Sequence, residues 1–489
     1  MTTKPSKTIF RNSIFTFAAQ TIIKIFSFAF SIFVARYLGA ESFGQYSAIT
    51  AFVGTFAVFS DLGLSLYTTR QIARWQDVPD GKLKASDLYS NILILRLVLA
   101  IITVISVTFV AYATHRPLPI IIGIAVNSII LVLYAVQGSS EAVLGGYERL
   151  DITSSTKIIN QIIFVMVGGL LLWAGLGYFG LIAANLIGVT VMMIICWFAV
   201  RKIGLKIGKP NPKIWIKLLS FSIPFGIIGF ALGLSYKFDT VLLNITRSDQ
   251  ETGYYNAAYN LIFSLVVFSN AINTALYPSL SRISVTAPEK LVTFYNRSLG
   301  YLMMISLPIA VGVTILADQI ILFLYGIDYA PSIIALRILI WVLPFMYASE
   351  FLGYVIVIAN KEALVARAVI ISTGFNILLN IFLVPKYGYI AASVMTVITE
   401  MVLVGQYIYF LRNQNTGLEW SRIIALPLVS SLLMGVIVYI LQTRIHFLFN
   451  VIIGVVVYFI VSLAIGVIGK EELLFLKQFF LPRQRDSLP

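Results

Sequence analysis

The chain has 489 residues, 59% of them hydrophobic and only 11% charged, with a mean hydropathy of +0.92. Soluble domains carry about 25% charged residues, so a water-soluble globule is excluded and the natural solvent is lipid. The net charge of +14 does not point to nucleic acid, because the basic residues are scattered over short loops between apolar runs, with no domain to hold a duplex.

About 20 apolar residues cross the hydrocarbon core as a helix. Fourteen such runs follow one another, at 12–35, 43–66, 88–112, 118–143, 155–176, 178–200, 217–242, 254–280, 298–325, 331–358, 363–384, 388–411, 422–442 and 446–469. The pattern predicts an all-α polytopic membrane protein of about 14 transmembrane helices. No small-residue cleavage site follows the first run, which reads as a retained span and not as a secretory signal.

Span 1 carries a lysine at its centre, in "AAQTIIKIFSFAF". At 100° per residue, Ser13, Thr16, Gln20, Lys24, Ser27 and Ser31 fall within roughly 80° of one another. Lys24 is about 18 Å from either end of its span at 1.5 Å per residue, too far for its stem to reach water. A charge at that depth costs roughly 2.5–3.5 kcal/mol on insertion scales, so the stripe is expected to face a wet cavity or a polar partner.

Arg96 in span 3 lies roughly 9–12 Å from the nearer end of its span, as does Arg337 in span 10. For both, facing the lumen and snorkelling to the interface stay open. Lys237 in span 7 shares a face with Ser222, Gly226, Gly233 and Thr240, small residues that let a helix approach or leave room for a ligand. Glu350 in span 10, between Tyr347 and Tyr354 on its face, is a candidate coupling acid. So is Glu400 in span 12, on a stripe with Ser393, Thr396 and Tyr407. Asp61 and Asp239 suit structural roles near helix ends.

Twenty-six basic residues fall on the N-terminus, the alternate loops and the C-terminal tail, against five on the opposite loops. The positive-inside rule then predicts cytoplasmic N- and C-termini in a plasma (inner) membrane. The basic stretch "RKIGLKIGKPNPKIWIK" (201–217) reads as an interfacial linker, and "EELLFLKQFFLPRQR" (471–485) as a short amphipathic helix on the membrane surface.

An internal duplication is legible. "FGQYSA" opens span 2 and "TGYYNA" opens span 8, matching Gly44, Tyr46 and Ala48 to Gly253, Tyr255 and Ala257 at an offset of 209. "GLIAA" (180–184) and "GYIAA" (388–392) repeat at an offset of 208. Two six-helix lobes related by pseudo-twofold symmetry are expected, plus two extra C-terminal helices. The divisions are 1–205 for spans 1–6, 206–415 for spans 7–12 with the basic linker before them, and 416–489 for spans 13–14 and the tail.

Enzymatic chemistry finds little support. "GLKIGK" (204–209) has the wrong spacing for a phosphate loop, and no acidic D-x-D pair is present. Cys196 is the one cysteine and sits inside an apolar run; the two histidines, His115 and His446, lie in short loops and suit structural roles. No cofactor and no metal are expected.

The stretches "ARYLGAESFGQYSAI", "FSDLGLSLYTTRQIAR", "DTVLLNITRSDQETGYYNAAYNL" and "YGYIAASVMTVITE" resemble, in order and spacing, the polysaccharide and O-antigen flippases of the multidrug/oligosaccharidyl-lipid/polysaccharide exporter superfamily. The resemblance covers nearly the whole chain. It implies a V-shaped, two-lobed transporter that moves polyprenyl-diphosphate-linked oligosaccharide from the cytoplasmic to the outer leaflet by alternating access. The implied partners are that lipid-linked sugar, the bilayer, and a polysaccharide polymerase or glycosyltransferase. Lys24 and Lys237, with Arg96 and Arg337, would then meet the diphosphate as lumen cations, and for Tyr255 and Tyr259 stacking on sugar rings and ordinary packing both stay open. Two alternatives share the superfamily: a cation-coupled multidrug exporter, whose lumen should favour acids over lysines, and a peptidoglycan-precursor flippase.

Overall fold

A computed structural model describes residues 4–412, 417, 419 and 421–467, with side chains from residue 23 onward except 224, 225, 228, 232, 274, 275, 277–279, 285 and 288. The described residues are almost all helical, with no strand among them. Ten helical segments among them are long and apolar enough to cross a membrane. The surface helix expected at 471–485 lies outside the described residues, as do the side chains of Ser13, Thr16 and Gln20.

The helices are α1 (Lys4–Phe56), α2 (Leu64–Trp75), α3 (Gly81–Ala113), α4 (Leu118–Gly146), α5 (Leu150–Trp173), α6 (Gly177–Ile203), α7 (Trp215–Thr246), α8 (Asp249–Thr286), α9 (Leu291–Leu324), α10 (Ser332–Leu339), α11 (Val342–Ile358), α12 (Glu362–Leu411), α13 (Leu426–Leu441) and α14 (Phe447–Ile465). Their borders depart from the apolar runs for local reasons. Runs 12–35 and 43–66 share α1, which is broken at Gly39 by a φ of 72° that an L side chain rarely adopts. The second run then ends early: a 3₁₀ turn at Ala57–Ser60 and left-handed Leu62 and Gly63 separate it from α2. Runs 363–384 and 388–411 share α12, which is interrupted at Gly388.

The chain divides into two compact units. Unit 1 comprises Met1–Val267 and Val369–Met395; unit 2 comprises Phe268–Ala368 and Thr396–Pro489. In unit 1, α4 packs on α3 and α6, α5 on α6 and α1, and α1 on α7. One core gathers Leu64, Tyr89, Ile92, Leu144, Met192 and Cys196 beneath α2, α3, α4 and α6. A second gathers Ile49, Phe52, Val107, Ile124, Leu131 and Val189. In unit 2, α9 and α13 pack through Val311, Leu316, Met434 and Val438. His446 caps α14, its Nδ1 accepting from the Leu448 amide at 3.4 Å.

The basic linker after α6 runs along one face of α3. Ser90 Oγ accepts from the Gly208 amide at 2.8 Å, and Asn91 Oδ1 accepts from the Asn211 amide at 2.6 Å and from Trp215 Nε1 at 3.3 Å. Those side chains satisfy backbone donors that a proline-bearing loop cannot satisfy within itself. They also set where α7 begins.

Candidate functional site

Unit 1 holds a partly open cavity of about 220 Å³. Ser27, Phe30 and Ser31 reach it from α1 before the Gly39 kink, and Tyr46, Ser47 and Thr50 reach it from α1 after the kink. Lys237 and Thr240 of α7 and Asn256, Tyr259 and Asn260 of α8 complete most of the wall. Lys237 is the one charged side chain among the described residues that line it. Polar residues recurring every three or four positions put one face of each helix inward, which is how three helices build a wet wall within an apolar protein.

Lys24 stands one turn before Ser27 on the same stripe, exposed, and within electrostatic range of Lys237. The fold therefore brings these two sequence-predicted cations together. Lys237 passes close to Gly54, where an added Cβ would lie 3.8 Å from the lysine Cε. Asn260 Nδ2 donates to Ser31 Oγ at 3.4 Å and Thr240 Oγ1 donates to Asn256 Oδ1 at 3.3 Å, tying the wall together.

The aromatic residues divide. Tyr259 lines the cavity, stacked on Phe263 at 4.2 Å between ring centroids. Tyr255 is 1% exposed and donates to Asp239 Oδ2 at 3.1 Å, so no ring of a ligand reaches its face. Asp239 also accepts from Asn380 Nδ2 at 2.8 Å, which makes it a tie between α7, α8 and α12.

Arg96 is placed otherwise than with the two lysines. It is 4% exposed, and its Nη2 lies 3.1 Å from Asp61 Oδ1. Its Nη1 donates to Ser65 Oγ at 2.8 Å, and Nη2 donates to the Tyr134 carbonyl at 3.4 Å. The two terminal nitrogens of the guanidinium are thus bonded inside the α2–α3–α4 packing, its buried Nε has no partner, and the group is not presented to the cavity. Asp61 Oδ1 also accepts from the Ser65 amide at 3.1 Å, at the start of α2, as expected of a residue at a helix end. Arg337 lies in unit 2, exposed in the last turn of α10. Glu350 of α11 and Glu400 of α12 are both in unit 2, within electrostatic range of each other.

The two duplicated glycines meet at one end of the cavity wall. A Cβ on Gly44 would overlap the Asp249 carbonyl oxygen, and a Cβ on Gly253 would overlap the carbonyl oxygen of Ala40. The contact is reciprocal: each glycine faces the residue four positions before the other. Around it, Gln45 Nε2 donates to Asp249 Oδ2 at 3.0 Å, Asn244 donates to the other Asp249 oxygen, and Arg116 donates to Asn244. Gly44→Val is expected to force α1 and α8 apart. With Gln45→Cys and Asp249→Cys in place, a disulfide forms on oxidation in the wild-type background and fails in the Gly44→Val background. Equal cross-linking in both would remove the close approach.

Of the residues that line the cavity, the sequence singled out Ser27, Ser31, Lys237 and Thr240 but passed over Tyr46, Thr50, Asn256 and Asn260. The signal for the asparagines was present: Thr252, Asn256 and Asn260 repeat at four residues in an otherwise apolar and aromatic helix.

A family model described as "Polysaccharide biosynthesis protein" matches residues 9–284. A protein of Haloferax volcanii named "Probable low-salt glycan biosynthesis flippase" is 24% identical over 437 residues, covering 88% of this chain and 89% of its own. Among solved structures, the lipid II flippase MurJ in an inward closed conformation superposes with a TM-score of 0.75 at 18% identity, over 96% of this chain and 100% of that one. A multidrug resistance transporter of the MATE family, of the MOP superfamily, in an inward-facing conformation superposes with a TM-score of 0.60 at 16% identity, over 81% and 98%.

Proposed function

The chain belongs to the polysaccharide biosynthesis protein family, and from that premise we propose that it is a flippase moving a polyprenyl-diphosphate-linked oligosaccharide from the cytoplasmic to the outer leaflet. The carrying observation is Lys237 on the wall of a cavity with no acid among the described residues that line it, with Lys24 within electrostatic range of it. Two ammonium groups repel until an anion sits between them, and a diphosphate is a dense anion with several acceptor oxygens. A cationic drug gains nothing there, which weighs against multidrug export. The relatives named as flippases support the same reading.

At about 220 Å³ the cavity is smaller than the roughly 300–1,000 Å³ of pockets that enclose drug-sized ligands. A headgroup fragment fits it and a whole oligosaccharide does not, so the lobes must move apart for passage. In this reading fourteen crossings form two six-helix lobes and two appended helices, with both termini cytoplasmic, and the lobes alternate access. The reciprocal Gly44–Gly253 approach supports the repeat that such motion needs. An inside-negative potential favours outward movement of an anion, by about 2.3 kcal/mol per charge per 100 mV.

The test is reconstitution in liposomes with a labelled polyprenyl-diphosphate oligosaccharide, following its transfer between leaflets without nucleotide. Transfer above that of protein-free vesicles is expected. Absent transfer together with gradient-driven efflux of a cationic dye would overturn the proposal in favour of the multidrug branch.

A further inference from the structure

Unit 2 holds a second polar cluster, made by α8, α11 and α12. Ser269 Oγ of α8 donates to Glu350 Oε2 at 2.6 Å. Asn273, one turn on, donates from Nδ2 to Ser269 Oγ at 3.1 Å and to the same Glu350 oxygen at 3.4 Å. Asn273 is 2% exposed, and its Oδ1 has no hydrogen-bond partner. Ser349 Oγ donates to Glu400 Oε1, and Glu400 is within electrostatic range of Glu350. Among the described residues neither carboxylate has a salt bridge.

An ionised Glu350 offers acceptors alone and can do nothing for Asn273 Oδ1. A protonated Glu350 offers one O–H. The bond from Asn273 Nδ2 to Glu350 Oε2 is half of a cyclic acid–amide pair, and an O–H on Oε1 donating to Asn273 Oδ1 is the other half. That single proton also removes the repulsion between two half-buried carboxylates within electrostatic range of each other, neither of which is paired with a cation among the described residues. Among the described residues the other titratable groups around Glu350 are tyrosines: Tyr347 and Tyr354 on its own helix α11, Tyr407 of α12 beside Gly353, and Tyr295 of α9 against Phe351. A tyrosine ordinarily titrates near pH 10, so among the described residues Glu400 is the charged neighbour, and the Glu350 carboxylate acts on it.

We propose that Glu350 and Asn273 form a proton-binding site, with the proton carried on Glu350 and held between its carboxyl group and the Asn273 amide. The acid comes from α11 and the amide from α8. Any rearrangement that parts those helices breaks the cyclic pair and releases the proton, and their return takes one up. The site does not depend on what the protein transports.

Infrared difference spectroscopy of the full-length protein in lipid, stepped from neutral to alkaline pH, reads the site directly. Wild type is expected to show the C=O stretch of a protonated carboxylic acid at neutral pH and to lose it on alkalinisation. Glu350→Gln loses the band, Glu400→Gln keeps it, and Asn273→Leu shifts it to the position of an acid without an amide partner. Glu350→Asp serves if the glutamine variant does not fold, and is expected to displace the band. The proposal is overturned if wild type lacks the band, if Glu350→Gln or Glu350→Asp leaves it unchanged, or if only Glu400→Gln removes it. None of these outcomes depends on transport, so a failed flippase assay leaves this result standing.

Discussion

Lys24→Ala and Lys237→Ala each lower transfer of the lipid-linked oligosaccharide by roughly ten- to a hundredfold, while Lys24→Arg retains part of it. The magnitude follows from the loss of one charge-assisted hydrogen bond to the diphosphate, worth about 1.5–3 kcal/mol. Arginine keeps the charge but changes its shape from a compact ammonium to a planar fork. A second effect has the opposite sign. The two ammonium groups repel in the empty carrier, so each alanine variant is expected to melt at a higher temperature than wild type. The double variant Lys24→Ala/Lys237→Ala should lose less than the sum of the singles, because both bonds are made to one anion. Leaflet transfer at matched reconstitution, alongside thermal unfolding of the empty protein, checks all of this. Wild-type transfer by both single variants would remove the anion site from the cavity.

Arg96→Met is expected to act on stability and not on recognition. Removing one partner of a buried ion pair costs about 3–5 kcal/mol, because the other charge stays behind. The Asp61 side chain is 30% exposed, which puts the cost at the lower end of that range. Ser65 Oγ and the Tyr134 carbonyl lose a donor as well. Arg96→Met/Asp61→Asn should recover much of the loss, since no charge is then stranded. Thermal unfolding of the three proteins measures it, and transfer per folded molecule should stay close to wild type in each. A variant that is stable yet inactive would return Arg96 to the substrate path. Space is tight around the guanidinium: a Cβ on Gly138 would lie 2.8 Å from Nη1, so even Gly138→Ala must displace it.

The sequence alone carries the solvent, the helical class and the polar stripe of span 1. These are properties of composition and of a 3.6-residue period, and each is complete within one segment. It also marked Gly44 and Gly253, through their matched hexapeptides. What it could not decide is which of four intramembrane cations share a site. Arg96 and Lys237 look alike in one dimension, each a lone charge in an apolar helix. Only packing shows that Asp61 and Ser65, thirty-odd residues before Arg96, surround one guanidinium, while Lys24 reaches the other cation across more than two hundred residues. The same holds for Glu350, whose meaning turns on an asparagine oxygen seventy-seven positions away that has no donor. Helix periodicity says which face a residue occupies; what stands opposite that face is set by long-range contacts, and those decide whether a buried charge is paired, bound to a ligand or protonated.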